Sequence, residues 1–159
     1  LYLKEITEHV KIPVLRKDFT VDPYMIYQAR TLGASAILLI CSLLSQSELE
    51  EYQAIATELG MSALVEAHDE REVEMALRAD ASIIGVNNRD LKTFTVDINN
   101  SARYRKMVPK EVAFVSESGI KTAEYIAKFL ENGTDAVLIG ETLMRSENKK
   151  QALDELRGM

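Results

Sequence analysis

Ionisable side chains follow several apolar runs of this sequence, at the point where each run ends. Lys17 comes two residues after the run Ile12–Leu15, and Glu66 comes directly after Ala63–Val65. An amine and a carboxylate that face one cavity suit proton-transfer chemistry. Burial lowers the pKa of a lysine and raises that of a glutamate, and mutual proximity opposes both shifts. The alternatives are a surface Lys17 paired with Asp18, and a Glu66 carboxylate bonded to nearby loop amides.

Two glycine-containing segments suit a different ligand. Ser118 and Gly119 follow the fifth apolar run, and Gly140 and Glu141 follow the sixth. Glycine lets a phosphate approach the backbone, and amides at a helix N-terminus attract anions. The pair therefore predicts a phosphate site, and the alternative is a tight turn at each position.

Other polar residues follow the remaining runs. Asn87 and Arg89 can hydrogen-bond a polyol and an anion, or they form an Asx-type turn with an arginine that is either exposed or in a salt bridge at the rim. Glu117 can orient a lysine, bind a hydroxyl or serve in a structural ion pair. We expect His68 to be a solvated loop residue, because it lies beyond the end of its strand. We expect Cys41 to be a core or pocket-lining residue, since no histidine-based activation pattern accompanies it.

The elements that carry these residues alternate regularly along the chain. The predicted strands are Ile12–Leu15, Ala36–Ile40, Ala63–Val65, Ser82–Val86, Val112–Val115 and Ala136–Ile139. Near-continuous apolar runs of this kind are typical of parallel strands that are buried on both faces. The predicted helices are 1–10, 22–32, 47–59, 69–78, 99–107, 122–130 and 148–156.

This α/β alternation is compatible with two architectures. One is an open doubly wound sheet, which is complete at about this length, and the other is part of an eight-unit barrel, which needs roughly 250 residues. Both place the ligand site at the carboxyl ends of the strands, so the polar residues converge there. The chain lacks the G-x-G-x-x-G and G-x-x-x-x-G-K-[ST] patterns, which counts against a nucleotide-binding doubly wound sheet.

Composition excludes several classes of protein. The 159 residues carry a net charge of −6 without a basic block, which argues against a nucleic acid partner. The single cysteine excludes a disulfide scaffold, and the longest apolar stretch is too short for a membrane span. Metal-ligand spacings are absent from the sequence. Charges throughout the first ten residues argue against a signal peptide, so we expect a cytoplasmic protein.

Six segments, in order along the chain, resemble the indole-3-glycerol-phosphate synthase family. They are Pro13–Phe19, Ala36–Ile40, Leu64–His68, Ile84–Leu91, Val115–Ile120 and Leu138–Met144. The resemblance implies a (β/α)8, or TIM, barrel enzyme of tryptophan biosynthesis. Such an enzyme closes the ring of 1-(2-carboxyphenylamino)-1-deoxyribulose 5-phosphate with loss of CO₂ and water. The implied partner is a small phosphorylated substrate, and the implied reaction needs no cofactor.

The same resemblance assigns roles to the residues at the strand ends. Lys17 matches the general acid of ring closure, Glu66 the carboxylate that handles the proton of dehydration, and Asn87 a residue that positions substrate. The matches to the substrate-binding shell are Phe19, Arg89, Leu91, Glu117 and Ser118. The matches to the phosphate-binding loops are Ser118, Gly119, Gly140 and Glu141, where backbone N–H groups matter more than side chains.

The chain departs from the family pattern at its beginning. The family also uses a glutamate and a lysine from its first strand, in a motif followed by Ser-Pro-Ser, and nothing in this chain matches that motif. Residues 1–159 are therefore predicted to form one partial barrel with strands three to eight. We expect the chain by itself to have little or no synthase activity, and to self-associate through exposed sheet edges.

Two other functions are compatible with the sequence. One is a non-catalytic barrel fragment that binds phosphate. The other is a different phosphate-binding barrel enzyme, such as a sugar-phosphate isomerase. The combination of Lys17 and Glu66 with Asn87 and Arg89 argues against the isomerase.

Overall fold

The computed structural model describes residues 2–90, 93 and 95–158. The strands are Leu15–Arg16 (β1), Ala36–Ile40 (β2), Ser62–Ala67 (β3), Ile83–Asn87 (β4), Ala113–Glu117 (β5) and Ala136–Leu138 (β6). The helices are Tyr2–His9 (α1), Pro23–Thr31 (α2), Gln46–Glu58 (α3), Glu70–Arg78 (α4), Asn99–Arg105 (α5), Ala123–Glu131 (α6), Glu141–Arg145 (α7) and Lys149–Leu156 (α8). A 3-10 turn, Cys41–Leu43, follows β2.

The six strands form one parallel sheet in which spatial order equals chain order, β1 to β6. Each strand lies beside the strand that precedes it, and helices or loops make the crossovers. A doubly wound sheet would reverse its strand order at a switch point, whereas a (β/α)8 barrel adds its strands in sequence. The strand order therefore confirms the predicted incomplete barrel and excludes the doubly wound sheet.

Successive side chains along each strand face opposite sides of the sheet, and both sides are apolar. The outer side packs under the helices and includes the buried Ile37, Leu39, Val65, Ile84 and Phe114. The inner side holds a smaller cluster of Leu38, Ile40 and Leu64, against which Leu15, Val115 and Leu138 pack. Burial on both sides explains why the strands are near-continuous apolar runs in the sequence.

Local sequence signals define where the helices begin. The Asp22 side chain accepts from the backbone N–H of Tyr24, with Pro23 as the first helical residue of α2. Ser45 and Glu48 form a capping box at the start of α3. These caps satisfy N–H groups that have no partner within the helix.

The structure differs from the sequence-based elements at both ends of the sheet. β1 comprises only Leu15–Arg16, because Pro13 has no N–H for a strand ladder and Ile12 is exposed. After β6 the chain forms the short helix α7, Glu141–Arg145, which lies outside the helices predicted from the sequence. None of the described helices combines the length and apolarity needed to cross a membrane.

Each end of the described sheet carries one unpaired edge. β1 pairs only with β2, and β6 pairs only with β5, within the part of the chain that the structure describes. An unpaired edge presents backbone N–H and C=O groups that can pair with a further strand.

We therefore expect the chain to self-associate in solution. Ala136→Lys, at an exposed position of β6, should reduce the association, because a charge on an edge strand opposes edge-to-edge pairing. Multi-angle light scattering over a concentration series measures the effect. Leu130→Lys adds the same charge at an exposed position of α6 and is the matched control. A well-folded wild-type chain that stays monomeric at high concentration would contradict the expectation.

Candidate active site

Lys17 lies between two buried carboxylates. Its Nζ is 2.9 Å from Oε2 of Glu66 and 3.1 Å from Oε2 of Glu117. The Lys17 side chain is 40% exposed, whereas those of Glu66 and Glu117 are 3% and 1% exposed. Asp18 is 3.4 Å from Arg16 instead, so the alternative pairing of Lys17 with Asp18 is not observed. The ammonium of Lys17 is therefore the open end of an otherwise buried ionic cluster.

The cluster forms because its members project from the inner face of neighbouring strands. Glu66 on β3 is in register with Gly85 on β4, and Asn87 on β4 is in register with Glu117 on β5. A Cβ at Gly85 would collide with the carboxylate of Glu117 and would lie 3.1 Å from a methyl group of Leu64. Gly85 thus makes room for Glu117. No role was predicted for Gly85 from the sequence, although a glycine inside an apolar strand indicates close approach of another group.

Glu66 is surrounded by donors. Its Oε1 accepts from Asn87 Nδ2 at 3.0 Å, its Oε2 accepts from Lys17, and His68 Nε2 lies 3.2 Å from Oε1. Burial alone would raise the pKa of Glu66. The contacts with His68, Asn87 and Lys17 outweigh burial and lower that pKa to about 2. Glu66 is therefore ionised at neutral pH.

Glu117 has the opposite balance. Burial raises its pKa, the negative charge of Glu66 raises it further, and Lys17 opposes both, so that the pKa is about 7. Within the described residues, neither carboxylate oxygen of Glu117 accepts a well-aligned hydrogen bond. Its 3.1 Å contact with Lys17 is therefore an ion pair and not a hydrogen bond. Burial would lower the pKa of Lys17, but Glu117 and Glu66 together raise it. Lys17 therefore remains an ammonium.

The expectation that His68 is a solvated loop residue is wrong. Its side chain is only 15% exposed and lies between Glu66 and Glu72, whose Oε2 is 3.0 Å from Nδ1. Burial would lower the pKa of His68, but the two carboxylates raise it to about 9. Strand alternation could have predicted that His68 lies beside Glu66, because residues two positions apart in an extended chain face the same side.

A cleft of about 1210 Å³ opens beside Lys17 at the carboxyl ends of β4, β5 and β6. Its lining includes Lys17, Arg89, Ser118, Gly119, Gly140 and Glu141 from the predicted set, and also Asp97, Lys121, Tyr125, Thr142 and Arg145. Lys121 and Arg145 were not predicted as site residues. They increase the positive charge of the lining, which an anionic ligand needs in an acidic chain.

The loop after β5 has an unusual backbone. Ser118 and Gly119 have φ angles of 66° and 76°, in the left-handed region. A Cβ at Gly119 would collide with Val96, so this position needs glycine. Within the described residues, the backbone N–H groups of Gly119 and Ile120 donate to no protein acceptor.

The buried Asn88 supports that loop. Its Nδ2 donates to Ser116 Oγ at 3.1 Å and to the backbone oxygen of Ser118 at 3.2 Å, and its Oδ1 accepts from the N–H and Oγ of Ser101. The Asn88 side chain thereby makes four hydrogen bonds, and the residue is 0% exposed. No role was predicted for it from the sequence.

Arg89 and Glu141 contact each other at the rim of the cleft. Arg89 Nη2 is 2.7 Å from Glu141 Oε2, and Arg145 Nε is 2.9 Å from Glu141 Oε1. The backbone N–H of Arg89 donates to Asn87 Oδ1 at 3.0 Å. The Asx-type turn with a salt bridge at the rim, which was the alternative for Asn87 and Arg89, describes this geometry. Asn87 also contacts Glu66, so it serves the ionic cluster as well.

Several other predicted residues lie elsewhere. Phe19 is 62% exposed and is not part of the cleft lining, so its contact with an aromatic ring stays a prediction. Leu91 lies outside the described residues. Cys41 is buried in the outer core, as expected, and burial raises its pKa to about 12. Among the described residues, no three His, Cys, Asp or Glu side chains are grouped to hold a metal ion.

Comparison with solved structures agrees with the barrel architecture. The 3-hexulose-6-phosphate synthase of Salmonella typhimurium superposes with a TM-score of 0.84 at 15% identity, over 98% of this chain and 77% of that one. A mutant tryptophan synthase alpha-subunit of Pyrococcus furiosus gives 0.76 at 18% identity, over 99% and 71%. At these identities the likeness concerns the fold alone. Sequential parallel strands with a polar cluster at their carboxyl ends define the chain as part of a (β/α)8 barrel.

The chain belongs to the family described as indole-3-glycerol phosphate synthase, whose model matches residues 1–156. The protein of that name from Ruminiclostridium cellulolyticum is 58% identical over 157 residues, which cover 99% of this chain and 60% of the relative. The one from Endomicrobium trichonymphae is 56% identical over 156 residues, with coverages of 98% and 60%. The chain thus spans about 60% of the length of these relatives.

The raised pKa of Glu117 predicts a specific dependence of stability on pH. Between its ordinary value of 4.5 and about 7, the folded chain keeps a proton that the unfolded chain releases. As the pH rises through this range, the free energy of unfolding should fall by at most about 1.4 kcal/mol per pH unit. Above about pH 7 it should level off. Glu117→Gln should remove this component.

Urea denaturation at a series of pH values measures the difference between Glu117→Gln and the wild type. Glu124→Gln alters an exposed glutamate of α6 and is the control. Wild-type and Glu117→Gln stability curves that run parallel between pH 4.5 and 7 would contradict the assignment.

Proposed function

We propose that this chain carries the acid–base and phosphate-binding part of an indole-3-glycerol phosphate synthase. The reaction closes the ring of 1-(2-carboxyphenylamino)-1-deoxyribulose 5-phosphate with loss of CO₂ and water, in the cytoplasm. The observation that carries the proposal is the Lys17 ammonium, which lies between Glu66 and Glu117 beside a cleft of about 1210 Å³.

Lys17 acts as the acid of ring closure. The substrate carbonyl develops negative charge when the new carbon–carbon bond forms, and an adjacent ammonium stabilises that charge and donates a proton. The two carboxylates raise the pKa of Lys17, so the proton is present at neutral pH. The exposed fraction of the Lys17 side chain, 40%, gives substrate access to Nζ.

The two carboxylates handle the proton of dehydration. Loss of the hydroxyl group requires an acid, and removal of the neighbouring ring proton requires a base. Glu66 and Glu117 both contact Lys17, at 2.9 and 3.1 Å, so either can exchange a proton with it. Asn87 holds Glu66 through a 3.0 Å hydrogen bond and thereby orients the pair.

The phosphate group binds at the other end of the cleft. The backbone N–H groups of Gly119 and Ile120 have no protein acceptor within the described residues, and Lys121 follows them directly. Gly140 faces the same cleft, where its lack of a side chain leaves the backbone accessible. Glu141 contributes backbone rather than side chain, because its carboxylate is engaged by Arg89 and Arg145.

The second candidate function for the chain by itself is that of a barrel fragment that binds phosphate but does not catalyse the reaction. It is favoured by the length of the chain, about 60% of that of its curated relatives, and by the absence from its sequence of the family's Glu and Lys motif of strand one. We expect the purified chain to form indole-3-glycerol phosphate slowly or not at all. The fluorescence of that product measures the rate, and near-normal turnover would contradict the expectation.

Replacement of Lys17 tests the proposed acid directly. In the protein at the full length that its gene encodes, Lys17→Ala should lower kcat roughly 10²- to 10⁴-fold, because it removes the proton donor. Lys11→Ala removes an exposed lysine nearby and is the matched control. A Lys17→Ala protein with the wild-type kcat would exclude this role.

A further inference from the structure

His68 is held in one orientation by Glu72. The Oε2 atom of Glu72 accepts from the backbone N–H of His68 at 2.8 Å and lies 3.0 Å from Nδ1 of the same residue. The Glu72 backbone N–H in turn donates to Asp69 Oδ1 at 2.8 Å, at the start of α4. The opposite ring nitrogen, Nε2, lies 3.2 Å from Glu66 Oε1, as a close ion pair without an aligned hydrogen bond.

The two carboxylates that flank Lys17 consequently have different surroundings. Glu66 accepts hydrogen bonds from Lys17 and Asn87 and has an unaligned ion pair with His68. Glu117 has only the ion pair with Lys17 and no aligned hydrogen bond within the described residues. Both carboxylates are buried, and one lysine cannot compensate two buried negative charges. The proton needed to relieve that imbalance resides on the carboxylate with fewer donors.

We propose that His68, clamped by Glu72, is a positioning residue that keeps Glu66 ionised and thereby leaves the exchangeable proton of the cluster on Glu117. This inference rests on the proposed function and refines it, because it divides the roles of the two carboxylates. Glu66 is the permanent negative partner of Lys17, and Glu117 is the proton carrier.

The groups that face His68 support an imidazolium at this position. They are Glu66 from its own strand and Glu72 from α4, and both raise its pKa. Cys41, in the 3-10 turn, donates its thiol to the backbone oxygen of Glu72 and stays protonated. Lys17 lies on the far side of Glu66. Negative and positive charges therefore alternate in the order Glu72, His68, Glu66 and Lys17. Each charged group in this row has an oppositely charged neighbour.

The division of roles has a consequence for turnover. After Lys17 has given its proton to the substrate, the neutral amine is 3.1 Å from Glu117. The Glu117 carboxyl then transfers its proton to Nζ, which restores the ammonium and leaves a carboxylate. That carboxylate accepts the next proton released in the reaction. A pKa of about 7 suits a group that both donates and accepts protons near neutral pH.

Carboxyl carbon NMR of the full-length protein tests where the proton resides. In the wild type, Glu117 should titrate near pH 7 while Glu66 stays unchanged in that range. In His68→Gln, Glu66 should titrate in the same range, because its cationic neighbour is lost and the proton becomes shared. His68→Lys keeps the charge and should restore the wild-type pattern. A Glu66 signal that stays flat near pH 7 in His68→Gln would overturn the proposal.

Kinetics test whether this arrangement serves the reaction. His68→Gln should lower kcat roughly ten- to hundredfold with little change in KM, since the phosphate end of the cleft is untouched. Glu72→Gln keeps an oxygen that accepts from the His68 N–H and should lower kcat in the same direction, and the double variant should be no worse than His68→Gln. Glu74→Gln, an exposed position on the same helix, is the control.

The outcomes separate the two claims. Equal loss of thermal stability and activity in His68→Gln, with an unchanged carboxyl titration, would make His68 merely structural and overturn the positioning role. A wild-type protein without ring-closing activity would overturn the proposed function instead, while the carboxyl titrations would still decide whether His68 keeps Glu66 ionised.

Discussion

Burial of two carboxylates beside a single ammonium is the constraint on which the rest of the site depends. Removing an ion from water costs several kcal/mol, and the cost is recovered only when opposite charges and hydrogen bonds surround it. Here Lys17 compensates Glu66 and Glu117 only in part, so burial and the charge of Glu66 raise the pKa of Glu117 to about 7. Incomplete compensation of this kind suits a cluster to proton transfer.

The parallel sheet makes this cluster possible through its register. Glu66, Asn87 and Glu117 project from the inner face of three adjacent strands, and Gly85 leaves the space that the Glu117 carboxylate occupies. The same strands pack their outer faces under the helices in a separate apolar core. The ionic cluster thus lies on regular strands and on the opposite face of the sheet from that core.

A buried hydrogen-bond network around Asn88 fixes the loop that lines the cleft beside the cluster. Ser118 adopts a left-handed backbone conformation, which costs a residue other than glycine about 1 kcal/mol or more. The hydrogen bonds of Asn88 to Ser118, Ser116 and Ser101 hold that conformation. Ser118 and Gly119 line the cleft, so the polar network beneath this turn fixes the shape of the proposed phosphate site.

The sequence by itself determined the alternation of strands and helices, the parallel sheet and the positions of Lys17, Glu66 and Glu117 at strand ends, because apolar periodicity and helix caps are local signals. Apolar periodicity alone left the choice between a doubly wound sheet and a barrel open, since strand order depends on pairing between distant segments. The family resemblance of six segments predicted the incomplete barrel, and the strand order confirms it. Only the tertiary structure decided which charges meet. The compensation of Glu66 by His68 and the space left by Gly85 depend on side chains that converge from different strands and from α4, and no local pattern encodes their distances.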